Sequence, residues 1–275
     1  MRTPKLPTFF LAAAAALLLG SGQSAEARMI CTIVADAATS EILTEEGDCQ
    51  TRVTPASTFK IALAVMGFDA GVLKSTSAPT WEWKEGDPDW GGAAWRRPTD
   101  PAAWMKHSVV WYSQRITPVI GAAELSRYSK AFGYGNADFT GDPGKNNGLE
   151  RAWISSSLKI SPREQVAFLT RLLNGKLSVT EQAVANTRAI VEEADVGGGW
   201  RLWGKTGGAF PRKANGEFDR AQGWGWFVGW AEQKNRRLVF ARLIQGEREP
   251  GLSPGRLAKA QLLKEWPKRA AQLAR

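Results

Sequence analysis

The predicted strands of this chain lie at its two ends with the predicted helices between them, and that order restricts the fold more than any other feature of the sequence. Residues 29–35 (MICTIVA) and 41–44 (EILT) read as strands, since apolar and β-branched residues are bounded by a polar turn. Trp200–Gly207, Trp224–Ala231 and Arg237–Ile244 read as three more, followed by a closing helix over Pro254–Leu273. Helices are expected between these groups, from Thr54 to about Gly71, over 119–132 and over 162–174. Strands split by a helical middle bury their apolar faces by joining in one sheet. The expected fold class is therefore α/β (α+β): an antiparallel sheet of N- and C-terminal strands flanked by helices, with an inserted helical lobe at roughly residues 72–190.

Local signals sharpen two of these helices. Thr54 has the chemistry of an N-cap and Pro55 suits a first helical position, ahead of an apolar run from Phe59 to Phe68. Ser161-Pro162 with Glu164 is a start signal of the capping-box kind. The turn-rich stretch 139–160, with Gly141-Asp142-Pro143-Gly144 and Asn147-Gly148, is a long loop, and long loops in compact domains tend to carry function. The segment Trp81–Pro101 reads as ordered loop and short helix. Several of the thirteen tryptophans cluster between Trp81 and Trp104, as core packing or as a cleft wall.

At the N-terminus Arg2 and Lys5 precede an apolar run from Phe9 to Leu19 and small residues ending Ala25-Glu26-Ala27, the pattern of a secretory signal peptide over 1–27. Export to the periplasm or medium is expected, with residues 28–275 forming a single catalytic domain. No other apolar stretch reaches the ~18 residues of a membrane span, so no membrane partner is expected after cleavage. A formal charge of +9 is spread among acidic residues rather than gathered in a patch, which argues against a nucleic-acid partner. The two cysteines, Cys31 and Cys49, read as a disulfide closing the first hairpin, with two separate buried thiols as the alternative. A single histidine, His107, leaves little room for a His-rich metal site, and no metal is expected. A Ser-His-Asp triad would have to use His107, so another base is expected for a serine nucleophile here.

Ser57-Thr58-Phe59-Lys60 supplies such a pair: residues i and i+3 of a helix share a face, so a lysine nitrogen can act on a serine hydroxyl. Ser57 lies in the first turn, where free N–H groups favour a developing oxyanion. Lys60 falls in an apolar helix, where an unpaired ammonium is unfavourable, so it is expected to be neutral, paired or modified. The same S-x-x-K spacing recurs at Ser156–Lys159, so the motif alone decides nothing. Lys205-Thr206-Gly207, at a strand end before Gly208, suits recognition of a carboxylate and donation of a backbone N–H. Ser108-Val109-Val110 and Tyr134-Gly135-Asn136 are weak singly and gain weight from their order between Ser57 and Lys205.

Taken in order, STFK, SVVWYSQ, FGYGN, WISSSLKISP and GKTG resemble the class D serine β-lactamases (oxacillinases) among the penicillin-recognising serine enzymes, over residues 29–270. Class A enzymes and penicillin-binding proteins pair S-x-x-K and K-T-G with a different middle element. The resemblance implies a β-lactamase/transpeptidase-like fold and hydrolysis of β-lactam antibiotics, with antibiotic resistance as the outcome.

It further implies that Ser57 is acylated and that Lys60 is carboxylated by CO2 (or bicarbonate) to N6-carboxylysine, no other cofactor being needed. Trp153 would donate its indole N–H to the carbamate, Val110 would wall the lysine pocket, and Ser108 would relay a proton to the lactam nitrogen. The amides of Ser57 and Gly208 would form the oxyanion hole. Substrate contacts are expected from Lys205, Thr206, Gly207, Tyr134, Asn136, Trp111 and, at the closing helix, Arg256. Two alternatives share part of the motif set: a penicillin-binding D,D-peptidase or transpeptidase, whose middle motif is normally S-x-N, and a non-hydrolytic β-lactam sensor, which normally hangs from a transmembrane helix.

Overall fold

The computed structural model describes residues 27–246 and 251–273; residues 1–26 of the expected signal peptide lie outside it. Among the described residues the sheet has six strands: β1 (Arg28–Asp36), β2 (Ile42–Gly47), β3 (Glu193–Asp195), β4 (Arg201–Ala209), β5 (Gly223–Gln233) and β6 (Arg236–Gly246). Their order is β2-β1-β6-β5-β4-β3 and every pairing is antiparallel. The first strand therefore lies beside the last, with Ile33 opposite Ala241. This is the joining of chain ends that the strand order implied.

Alternation along the strands gives the sheet two buried faces. Ile33, Ala35, Val239, Ala241 and Leu243 face the helical lobe; Val34, Leu238, Phe240 and Ile244 face the other way. On that second side they meet Ala258, Leu262, Trp266 and Ala270 of α8 (Pro254–Leu273). Period-2 strands covered on both sides carry apolar residues at nearly every position. That explains the near-continuous apolar runs of β5 and β6.

The helical lobe lies between β2 and β3 and contains α1 (Phe59–Asp69), α2 (Pro101–His107), α3 (Val110–Ile120), α4 (Ala122–Phe132), α5 (Gly148–Arg151), α6 (Pro162–Leu173) and α7 (Glu181–Ile190). Every residue of α1 from Phe59 to Phe68 is buried, as expected of a helix that is apolar all round. At α6 the capping box is formed: Ser161 accepts from the Glu164 amide while the Glu164 carboxylate accepts from the Ser161 amide. Cys31 and Cys49, both buried, are joined as a disulfide.

Several expectations are corrected. Thr54 does not cap a helix, and Pro55 is not its first residue. The segment opens as a 3-10 turn, Ala56–Thr58, and α1 begins at Phe59, while the Thr54 hydroxyl bonds to a distant loop. The expected helix over 119–132 is two helices broken at Gly121, whose φ of +83° ends α3 and starts α4. Strand β2 runs on to Gly47, and β3 is a three-residue edge strand too short to show a sequence pattern. No helix among the described residues is long and apolar enough to cross a membrane.

Candidate active site

Ser57 occupies the middle of the 3-10 turn, half-buried, directly after Ala56 at φ +50°. A non-glycine residue in the left-handed region costs about 1–3 kcal/mol, a strain that concentrates at functional sites. The turn itself is pinned from outside: the Thr58 hydroxyl donates to the Pro55 carbonyl (2.7 Å) and accepts from Gln165 Nε2 (2.8 Å).

One turn on, the fully buried Lys60 places Nζ 3.3 Å from Ser57 Oγ. Burial, and secondarily the positive charge of Lys205, hold its amine well below the usual lysine range. Burial thus favours the neutral amine of Lys60, whose lone pair can accept the serine proton. The competing motif is dismissed by geometry: Ser156–Lys159 is not helical, Lys159 is exposed, and its amide is bound to Asn136 Oδ1 (2.9 Å).

A cleft of about 730 Å³ opens over Ser57 and is lined also by Ser108, Lys205, Thr206, Gly207, Gly208 and Arg256, bringing together most of the expected residues. Ser108 reaches it from the junction of α2 and α3, where it takes a left-handed conformation (φ +59°) and its amide bonds back to the Trp104 carbonyl. At Gly207 strand β4 comes close against the serine turn. A Cβ there would sit 2.9 Å from the Pro55 carbonyl oxygen and 3.1 Å from the Thr58 amide. Glycine lets the strand carrying Gly208 lie against Ser57.

Burial pushes the Lys205 ammonium down to about 8; Glu192 counters this and the cations Lys259 and Arg256 add to it. Lys259 and Glu192, themselves paired at 3.2 Å, also line the cleft, as do Lys106, His107, Trp90 and Trp95. Sequence reasoning missed Lys259, Glu192, Lys106 and a cleft position for His107, whereas Trp90 and Trp95 belong to the tryptophan cluster read as core or cleft wall. Lys259 was readable, being one turn beyond Arg256 on a helix whose limits were legible; Glu192, between α7 and β3, carried no signal. The tryptophan cluster divides, with Trp104 buried in the core and Trp90, 64% exposed, at the cleft mouth.

Three expected substrate contacts lie elsewhere. Tyr134 is fully buried, packed on Phe59 and edge-on to Phe168 (5.2 Å), so its ring supports α1 and reaches no substrate. Asn136 ties its own loop to the Ser157 carbonyl (2.8 Å), facing a different cavity with Lys159 and Arg212. Trp111 is 1% exposed, with its indole N–H on the Trp95 carbonyl (2.8 Å), beneath the cleft wall rather than on it. Val110 is buried in the core cluster with Phe59 and Trp153. Trp153, 1% exposed and 5.5 Å from the Phe59 ring, has a buried indole nitrogen without a hydrogen-bond partner. No group of three metal-ligating side chains is found among the described residues.

The profile described as "Penicillin binding protein transpeptidase domain" matches residues 30–265. The chain is 44% identical to Beta-lactamase OXA-9 of Klebsiella pneumoniae over 238 residues, 86% of each chain. Against Beta-lactamase OXA-1 of Escherichia coli it is 38% identical over 232 residues, 83% of this chain and 80% of the relative. The crystal structure of the OXA-427 class D β-lactamase superposes with a TM-score of 0.82 at 40% identity, covering 88% of this chain and 99% of the other. Motif order, sheet topology and this likeness agree: the chain belongs to the class D β-lactamases, within the penicillin-binding transpeptidase-domain family.

Proposed function

We propose that this protein hydrolyses β-lactam antibiotics, and so confers resistance, through an acyl-enzyme on Ser57 with Lys60 as the base. The observation that carries the reading is the buried Lys60 nitrogen 3.3 Å from Ser57 Oγ, with Ser57 lining the cleft. Lys60 takes the hydroxyl proton as Ser57 Oγ attacks the lactam carbonyl. The Ser57 and Gly208 amides receive the developing oxyanion, a role supported by the close approach at Gly207. Ser108 passes a proton to the lactam nitrogen as the ring opens, and Lys205, Thr206 and Arg256 hold the substrate carboxylate. Water then cleaves the ester, activated from the Lys60 side.

The residues near Lys60 fit a CO2 adduct on its nitrogen: burial holds the amine well below the usual lysine range, and the Trp153 indole N–H, packed on Phe59, is buried with no partner in the structure. When bound, CO2 would give Lys60 an anionic carbamate oxygen able to act as the general base. Trp153 then supplies the donor that a buried anion requires, and Val110 and Phe59 keep water away. The apolar leader and the Cys31–Cys49 disulfide support export to the periplasm or medium.

A second reading is favoured by one similarity. Regulatory protein BlaR1 of Bacillus licheniformis is 31% identical over 211 residues, 75% of this chain but 32% of that longer protein. A sensor acylates without turning over. Mixing the protein with excess chromogenic β-lactam separates the two: continuous product release is expected, whereas a single stoichiometric burst would favour the sensor. Within the enzyme, Gly207→Ala is expected to lower kcat/KM about tenfold or more, ~1.4 kcal/mol of transition-state stabilisation, by forcing β4 off the serine turn. Gly208→Ala should be far milder, since a Cβ there meets nothing nearer than 3.8 Å. Equal losses in the two variants would refute the close-approach argument.

A further inference from the structure

Thr54 makes hydrogen bonds to two separate parts of the molecule, and one of them carries Trp153. Its side chain is buried, at 7% exposure, three residues before Ser57. Oγ1 donates to the Trp153 carbonyl (2.8 Å) and accepts from the Ser155 amide (3.0 Å). Its own carbonyl accepts the indole N–H of Trp226 on β5 (2.9 Å). The hydroxyl thus spans the turn Trp153–Ser155, gripping it at both ends and fixing it to the segment that leads into the serine turn.

That turn needs holding. Ser155 lies in the left-handed region (φ +54°), a conformation a non-glycine residue keeps only where its surroundings enforce it. Besides the local bond from the Ile154 amide to the Arg151 carbonyl (2.7 Å), two ties run from Ser155 to the β4–β5 connection: the Phe210 amide donates to Ser155 Oγ (3.3 Å) and Arg212 Nε to the Ser155 carbonyl (3.3 Å). Both are longer than the Thr54 bonds and one is partly exposed, so the hydroxyl is the tighter of the two anchors. The Trp153 ring hangs from the backbone that Thr54 grips, with its indole nitrogen buried and unpartnered.

We propose that Thr54 is a positioning residue for the base: its hydroxyl sets the Trp153 backbone so that the indole N–H is already aimed at the CO2 adduct of Lys60. This rests on the carboxylated Lys60 proposed above and deepens it. A threonine in this place links the loop and the nucleophile segment in a way no methyl or apolar side chain could reproduce. Preorganising the donor lowers the free energy of the adduct rather than the chemistry of acylation itself. The signature is a shifted CO2 requirement.

The test is a bicarbonate titration of steady-state β-lactam turnover on wild type, Thr54→Val and Thr54→Ser. Thr54→Val keeps the shape and removes both side-chain bonds. It is expected to need about tenfold more bicarbonate for half-maximal turnover, and to return toward wild-type kcat at saturation. Thr54→Ser, which keeps the hydroxyl, should titrate like wild type. The 13C carbamate signal should weaken in parallel in Thr54→Val. An unchanged bicarbonate midpoint in Thr54→Val, or a loss that saturating bicarbonate does not relieve, would overturn the proposal. Should Thr54→Val not fold, Thr54→Ala against Thr54→Ser makes the same comparison. A wild-type enzyme with no bicarbonate dependence and no carbamate signal would instead remove the carboxylated Lys60 beneath it.

Discussion

Ser57→Ala is expected to abolish acylation, with no covalent β-lactam adduct by mass spectrometry and turnover down by at least about 10⁴-fold, more than ~5 kcal/mol of transition-state stabilisation. Ser57 Oγ is the hydroxyl bonded to Lys60 Nζ, and two other candidates are placed differently. Thr58 points its Oγ1 at the Pro55 carbonyl and is buried, and Ser108 sits across the cleft on a separate helix junction. The variant should fold normally, because a half-buried serine on a 3-10 turn gives up little packing when truncated. Ser156→Ala, in the second S-x-x-K, is the control and should retain acylation. A labelled adduct in the Ser57→Ala protein would overturn the assignment of the nucleophile.

Removal of dissolved CO2 is expected to have the second largest effect, lowering turnover about tenfold or more at neutral pH, with full return on adding bicarbonate. The sign with pH follows from Lys60. Its amine titrates well below the ordinary lysine range because burial penalises the ammonium. Above that depressed value the nitrogen is free to bind CO2; as pH falls through it, the nitrogen is protonated and the adduct is lost. Loss of activity on the acid side should therefore be relieved by bicarbonate. The alkaline side belongs to Lys205, held at about 8: it is cationic below that pH and loses its charge above it. KM for a β-lactam carboxylate should rise through that range while kcat changes less. An acid limb insensitive to bicarbonate would sink the carboxylated base.

What could be read in the sequence was set by periodicity and by order. Lys60 announced itself because a charge stood in an otherwise apolar run, and the structure buries that run entirely. The pairing of β1 with β6 followed from where the strands fell along the chain, and the disulfide from having two cysteines beside the first hairpin. Facing was not legible. Tyr134, Asn136 and Trp111 stand in motifs of the right order, but only the packing of α1, α3 and the 139–160 loop turns the first and last inward and the second outward. Thr54 looked like a cap because threonine caps and tertiary anchors share the same hydroxyl; its partners Trp153 and Ser155 lie about 100 residues away. Glu192 belongs to the cleft by the turn between α7 and a strand too short to be foreseen.

The place of β1 in the sheet also governs how the molecule can form. It lies inside the sheet, between β2 and β6, yet Ile33 must wait for Ala241 to exist. Contacts between residues so far apart in sequence close slowly, because a long loop has to be ordered before they return any free energy. Until the last strands emerge, α1 has no complete sheet to pack against, and its apolar surface stays open. A chain whose sheet closes only when its C-terminal strands exist therefore assembles its nucleophile turn late, and everything before that is reversible.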